Sequence, residues 1–325
     1  MMMMRTSILI FIVVTITLVC LLLFRMSQTS GDEIIHRLEV KSIRVKKNAS
    51  DTASLALTSQ LNGNPDDCKK ANTNSARAAL SYDAIVKFRG FQSQFTVAIE
   101  VAHPGTQRYT YKAKDRILQV MDATFYVLLD GVPGDIAEFG VWKGGASIAV
   151  AKTLFQYAPK TTRKLHLFDS FEGHPDYSKT KEKDFDMQPF SGRVVGTLGE
   201  VKTNFAKFNL TDRINAGNIV FHKGWHNDTV LGFRETLSLV LADSDSYTST
   251  TIILNSTWPL LSVGGYIFID DYHDYGSCRN AVHDFMIANR LGPQYLKFPH
   301  SLPGDNLMFA PVPYLVKLPP AAEHA

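Results

Sequence analysis

Leu237-Ser-Leu-Val-Leu-Ala-Asp243-Ser-Asp245 and Tyr266-Ile-Phe-Ile-Asp270-Asp271 are built alike: a short apolar run that ends in two aspartates. Runs of this kind, bounded by turn residues, are how strands buried on both faces of a parallel sheet read. In an open α/β sheet, ligands bind outside the carboxyl ends of the strands. Carboxylates just past each run are therefore expected to converge on one crevice. Four of them, with no interleaved Lys or Arg, would repel one another unless a cation or protons compensated. Oxygen-only ligands favour Mg²⁺ or a similarly hard ion. The plainer alternative is helix capping, because Asp and Ser often cap a strand-to-helix turn and the run from Tyr247 to Leu261 is helical enough to want a cap.

The chain has 325 residues, 45% of them hydrophobic, enough for one ordinary catalytic domain with a full core plus appendages. Its formal charge of +3 is small for that length, and there is no basic stripe with interleaved aromatics. Nucleic acid is therefore not an expected partner. Cys20 lies in an apolar segment, and neither Cys68 nor Cys278 has a second Cys or His at ligand spacing, which argues against zinc. A disulfide between Cys68 and Cys278 is left open.

From Ser7 to Phe24 the sequence is almost continuously apolar, uncharged and flanked by Arg5 and Arg25. That is long enough to cross a bilayer. It exceeds the ~7 to 15 residue core of a cleaved signal peptide and lacks a small-x-small cleavage site. An uncleaved signal anchor, residues 7–24, is expected after a short tail, residues 1–6. Residues 25–81, rich in Ser, Thr, Asn, Asp and Lys, read as a flexible stem. Residues 82–325 then form the catalytic domain, with its core in 130–290. Arg25, Arg37, Lys41 and Arg44 outnumber Arg5, which would hold the C-terminal side in the cytosol. The sequons Asn48-Ala-Ser, Asn209-Leu-Thr, Asn227-Asp-Thr and Asn255-Ser-Thr would instead accept glycans in a lumen. The expectation is a single-pass Golgi or ER protein with a luminal catalytic domain, its orientation and any homo-oligomer left open.

Asp115 to Leu129 places Ile117, Val120, Met121, Phe125 and Leu128 on one helical stripe, read as core or lid packing. Beyond Gly134, strand-like runs (Asp135 to Phe139, Lys164 to Phe168, Ile219 to His222, Leu237 to Ala242, Tyr266 to Ile269) alternate with helix-like ones (Gly145 to Phe155, Tyr247 to Leu261, Cys278 to Arg290). Such alternation predicts an α/β fold, a mostly parallel sheet with helices on both faces.

Glu138-Phe-Gly-Val-Trp-Lys-Gly-Gly-Ala-Ser147 follows the first strand and opens the first helix of that series, where backbone N–H groups and the helix dipole favour an anion. Gly140, Gly144 and Gly145 would let a ligand approach the main chain, or simply serve the turn. The spacing is neither Gly-x-Gly-x-x-Gly nor a P-loop, which disfavours a nicotinamide dinucleotide. Asp169, at the end of the second strand, suits ribose hydroxyls or a helix cap.

Six blocks now fall in register: Gly134-Asp-Ile-Ala-Glu-Phe-Gly-Val-Trp-Lys-Gly-Gly-Ala, Phe168-Asp-Ser-Phe-Glu-Gly, Gly224-Trp225, Asp243-Ser-Asp-Ser-Tyr-Thr-Ser-Thr, Gly264-Gly-Tyr-Ile-Phe-Ile-Asp-Asp-Tyr and Cys278-Arg-Asn-Ala-Val-His-Asp-Phe. In order and spacing they resemble the macrocin O-methyltransferase (TylF-like) family. The resemblance implies a Rossmann-like class I fold and an S-adenosylmethionine-dependent, Mg²⁺-dependent methyltransferase acting on a sugar hydroxyl of a glycan or glycoside. Carried over, Glu138, Gly140, Gly144 and Ser147 would line the methionine end of the cofactor, Asp169 and Ser170 the ribose, and Gly224 and Trp225 the adenine side. Asp243, Asp270 and Asp271 would bind the metal, and Asp245 matches the presumed base. The segment from Ala102 to Tyr111, where relatives carry lid residues, matches poorly, and the anchor and stem are foreign to the bacterial members.

In that reading the metal chelates two neighbouring hydroxyls of the acceptor and Asp245 takes the proton of the attacking one. His273, after Asp270-Asp271-Tyr272, is the second choice of base, and His226 a further candidate. The rival function is a membrane-anchored glycosyltransferase that uses Asp243-Ser-Asp245 as an Asp-x-Asp motif. A third is a binding module that keeps the fold without the chemistry.

Overall fold

Strands form where β-branched and aromatic residues can be covered on both faces, and the chain alternates such runs with amphipathic helices. The protein is described by a computed structural model over residues 84–85, 87–93, 95, 109–179, 182–299 and 312–319. The strands are β1 (Asp135–Phe139), β2 (Leu165–Asp169), β3 (Ile219–Lys223), β4 (Leu237–Ala242), β5 (Leu261–Ile269), β6 (Leu296–Lys297) and β7 (Tyr314–Val316). The helices that bear on the site are α1 (Lys114–Leu129), α2 (Gly145–Tyr157), α3 (Leu198–Lys207), α4 (Thr211–Asn215), α5 (His226–Thr229), α6 (Tyr247–Thr257) and α7 (Gly276–Ala288).

The sheet order is β3-β2-β1-β4-β5-β7-β6, parallel from β3 to β5, with β7 antiparallel to β5 and to β6. Alternate strand residues face opposite layers. Ile136, Leu239 and Leu241 join Ile117, Val120, Met121, Phe125, Ile148 and Leu154 of α1 and α2 in one core. Ala137, Phe139, Val240, Ile267 and Ile269 join Ile253, Leu254, Val282 and Phe285 of α6 and α7 in the other. Each such fully buried side chain stabilises by about 1.5–3 kcal/mol. The α1 stripe is thus core, as its spacing predicts.

The two largest boundary differences from the sequence reading lie around β5, the others being of one or two residues. The helix expected to reach Leu261 ends at Thr257, because the chain turns at Trp258-Pro259 and proline cannot continue a helix. Leu261 already belongs to β5, whose pairing with β4 slips between Leu237↔Leu261 and Leu239↔Tyr266. Gly264, at φ 84°, sits in that irregularity, so a reading by apolar runs begins only at Tyr266. The antiparallel edge strands β6 and β7 were not anticipated.

The Golgi or ER membrane placement is corrected. Among the described residues no helix is long and apolar enough to cross a membrane, and the expected anchor, residues 7–24, lies outside the described residues, as do the stem, residues 25–81, and Cys68. Cys278 is buried and free.

Candidate active site

Register delivers the site. The parallel ladder runs one residue past each strand: Gly140 N–H donates to Phe168 O at 2.9 Å, Asp243 N–H to Phe139 O at 2.9 Å, and Asp270 N–H to Ala242 O at 3.0 Å. Gly140, Asp243 and Asp270 are therefore held side by side on the carboxyl edge, where the strand order reverses between β1 and β4. A Cβ on Gly140 would stand 1.6 Å from the Asp243 carbonyl oxygen, and φ is 84°. Only glycine fits there.

One carboxylate oxygen from each of Asp243, Asp270 and Asp271 lies within 4.8 Å of the others. None of them caps a helix. Ser246 caps α6, its side chain accepting from Ser249 N–H, and the N-terminus of α7 has no side-chain cap. Asp245 takes a left-handed backbone, φ 59°, which aspartate tolerates better than most residues. Its N–H donates to Asp271 Oδ2 at 2.9 Å, and its own carboxylate lies 3.5 Å from His174 Nε2. Burial, then the neighbouring Asp243 and Asp270, push Asp245 up to about 8. Burial pushes Asp243 up to about 6 against the pull of Lys112. Asp271 is raised well above the usual carboxylate range by burial and then by Asp245 and Asp243.

Two buried cations face this cluster. Lys112 Nζ pairs with Asp243 and, at 3.0 Å, with Asp270 Oδ1. Arg116 of α1 pairs with Asp270 Oδ2 at 3.1 Å and Asp274 Oδ2 at 3.0 Å. Burial alone would lower Lys112, but Asp243, Asp270 and Glu138 override it and hold the ammonium above its ordinary value. Four carboxylates, Asp243, Asp245, Asp270 and Asp271, thus face two cations, which leaves the cluster with formal anionic charge to spare. Three hard oxygens at one point and uncompensated charge fit a divalent ion such as Mg²⁺.

The other half of the edge is bonded differently. Asp169 Oδ2 accepts from Val141 N–H at 2.7 Å and Trp142 N–H at 3.0 Å, and Oδ1 from Phe171 N–H at 2.7 Å. The carboxylate ties the β1 and β2 loops together, which leaves few lone pairs for a ribose. Ser170 Oγ donates to Gly173 O at 2.9 Å. His226 is drawn down to about 4 by burial, and its Nδ1 is buried without a hydrogen-bond partner. His226 follows Gly224 and Trp225 in the cleft wall, and its unpartnered ring nitrogen donates or accepts according to tautomer, both of which the edge of an adenine can meet.

An open cleft of about 1310 Å³ joins the two halves. Glu138, Gly140, Asp169, Ser170, Gly224, Trp225, Asp243, Asp245, Asp270 and Asp271 all line it. Gly144, Ser147 and His273 do not. Gly144 backs onto Phe205 and Val201. Ser147 is fully buried and donates to Glu138, which burial pushes up to about 8. His273 lies against Tyr272 and Phe298, so the second-choice base is withdrawn.

Sequence reading missed Lys112, Arg116 and His174. Arg116 is the polar break in the α1 stripe, one residue before Ile117, and its burial is the signal that was available only in three dimensions. Residues 182–194, beyond the stretch that carries His174, are clamped to α6 and α7: Asp184 accepts from Thr248 N–H at 3.2 Å and from its hydroxyl at 2.6 Å, and Asp186 from Ser277 N–H at 3.0 Å.

Comparison with known proteins bears on this arrangement. The 8-demethyl-8-(2,3-dimethoxy-alpha-L-rhamnosyl)-tetracenomycin-C 4'-O-methyltransferase of Streptomyces olivaceus is 38% identical over 163 residues, 49% of this chain and 60% of that enzyme. The mycinamicin III 3''-O-methyltransferase of Micromonospora griseorubida is 33% identical over 186 residues, 55% of this chain and 71% of the relative. The chain thus spans 60% of the first of these relatives. The solved O-methyltransferase NovP shares the fold, with TM-score 0.59 at 23% identity over 74% of this chain and 99% of its own. The description of the macrocin-O-methyltransferase (TylF) family matches residues 71–296, and the chain belongs to that family.

Proposed function

We propose that the protein is an S-adenosylmethionine-dependent O-methyltransferase that methylates a sugar hydroxyl of a glycoside or glycan, with Mg²⁺ held by Asp243, Asp270 and Asp271. The observation that carries the reading is the meeting, in one cleft, of those carboxylates with the Gly140 turn after β1 and with Gly224, Trp225 and His226. The cleft exceeds the ~300–1,000 Å³ usual for a single small ligand, which leaves room for donor and acceptor together. Two relatives are named for methylation of sugar-bearing compounds.

Bound S-adenosylmethionine supplies an electrophilic methyl, and a bound Mg²⁺ would make a sugar hydroxyl acidic enough to attack it. Everything else falls to the chain. Gly224, Trp225 and His226 receive the adenine, and Gly140 lets the β1 and β4 turns close up beside the donor. His174, Tyr177, Phe190 and Tyr275 wall the cleft beyond Asp245 with ring faces that suit the C–H faces of a sugar. Asp245 accepts the proton of the attacking hydroxyl on a carboxylate oxygen. It is fixed for that task by its left-handed backbone and the bond to Asp271. Its raised proton affinity suits a base working near neutrality.

The test is methyl transfer from labelled S-adenosylmethionine to a panel of deoxysugar glycosides, with Mg²⁺ and with EDTA, beside calorimetric binding of S-adenosylhomocysteine. Product that forms only with metal supports the reading. Turnover undiminished in EDTA removes the metal, and failure to bind S-adenosylhomocysteine removes the donor.

A further inference from the structure

Lysine is rarely buried, and Lys112 is 6% exposed with its ammonium between Asp243 and Asp270. Those are two of the three carboxylates gathered at one point. Residues 109–113 carry it there as a strap with two further pins. The Tyr109 carbonyl accepts from Gly145 N–H at 2.8 Å, and the Tyr111 ring stacks on Trp142 at 4.0 Å. The first pin is written into the sequence, since a Cβ on Gly145 would stand 2.6 Å from the Tyr109 oxygen.

An ammonium and a hard divalent ion seek the same oxygens, and one point among three carboxylates holds only one of them. We propose that Lys112 is the resident cation of this site and that Lys112 and a divalent ion bind Asp243 and Asp270 in mutual exclusion, so that metal binding lifts residues 109–113 off Trp142. The inference rests on the metal reading above. Arg116 stays, because it holds the other oxygen of Asp270 together with Asp274 from the packed helix α1. Lys112 is thereby a positioning residue: it sets the metal affinity and couples it to the strap that borders the cleft.

Where only the fraction of molecules with Lys112 withdrawn accepts metal, the apparent dissociation constant is the intrinsic one divided by that fraction. The test is calorimetric titration of the full chain with MgCl₂ alone, for the wild type and Lys112→Met, which keeps the aliphatic stem. Trp emission is followed in parallel. Mg²⁺ affinity should rise on the order of ten-fold or more in the variant, and Mg²⁺ should change the wild-type emission as Tyr111 leaves Trp142, but leave a Tyr111→Ala protein unchanged. Equal affinities and a silent wild-type emission overturn the proposal while the metal reading stands. Absence of Mg²⁺ binding in both proteins overturns the two together. If Lys112→Met does not fold, the wild-type and Tyr111→Ala emission titrations decide alone: a change lost in Tyr111→Ala supports displacement, and no wild-type change refutes it.

Discussion

The two halves of the carboxyl edge solve the problem of a buried aspartate in opposite ways. At the β1–β2 end, Asp169 is satisfied by three backbone N–H groups and acts as a joint between loops. At the β4–β5 end, Asp243, Asp245, Asp270 and Asp271 crowd together with two cations, and three of them hold their protons more tightly than usual. Asp169 is electrostatically finished, and the aspartate cluster is poised for a ligand. A carboxylate is thus structural or functional according to what its lone pairs meet, which residue type does not disclose.

The contrast breaks most severely at Asp245. Asp245→Asn keeps the shape but cannot take a proton, so turnover should fall about 10³-fold, roughly 4 kcal/mol in the barrier. S-adenosylhomocysteine binding, measured by calorimetry, should persist because the other half is untouched. A variant with near wild-type turnover would take the base role from this residue.

Gly140→Ala should damage both halves at once, because its Cβ would meet the Asp243 carbonyl in a left-handed backbone. About 3 kcal/mol of stability should be lost, a size reserved for such clashes, as read by urea denaturation.

The charge difference should be visible as a pH dependence. Asp243 and Asp245 titrate in the fold at about 6 and about 8, well above the unfolded value of ~3.9. Between those limits these two carboxyls bind more protons in the fold than in the unfolded chain, so their contribution to metal-free stability should fall as pH rises from about 4 to about 8. Mg²⁺ should therefore raise the melting temperature more at pH 8 than at pH 5. A metal effect independent of pH would separate these carboxylates from the ion.

The smallest effect belongs to the β1–β2 end. His226→Phe removes the unpartnered ring nitrogen while keeping a ring against Phe139. S-adenosylhomocysteine affinity should drop by about ten-fold, near the ~1.4 kcal/mol of one hydrogen bond, with Mg²⁺ affinity unchanged. An equal loss of both would merge the two halves into one network.

Much of this was legible in the chain. The apolar runs at Leu237–Ala242 and the end of β5 gave the central strands, because burial on both faces demands mostly hydrophobic residues. Register then had to bring Asp243 and Asp270 together, since both follow adjacent parallel strands. The edge strands β6 and β7, two and three residues long, offer too few side chains for a period to show. The slip at Gly264 hid the start of β5 for a related reason, as glycine carries no pattern.

What the sequence determined by itself is therefore the parallel part of the sheet and the meeting of the aspartates, because both follow from the succession of apolar runs and chain direction. Only the tertiary structure decided which carboxylates are spent on backbone, that Ser246 rather than an aspartate caps α6, and that Lys112 enters the cluster. Those outcomes depend on hydrogen-bond and charge partners far apart in sequence, Lys112 and Asp243 being 131 residues apart. No local period encodes such a meeting, since packing of separate elements brings it about.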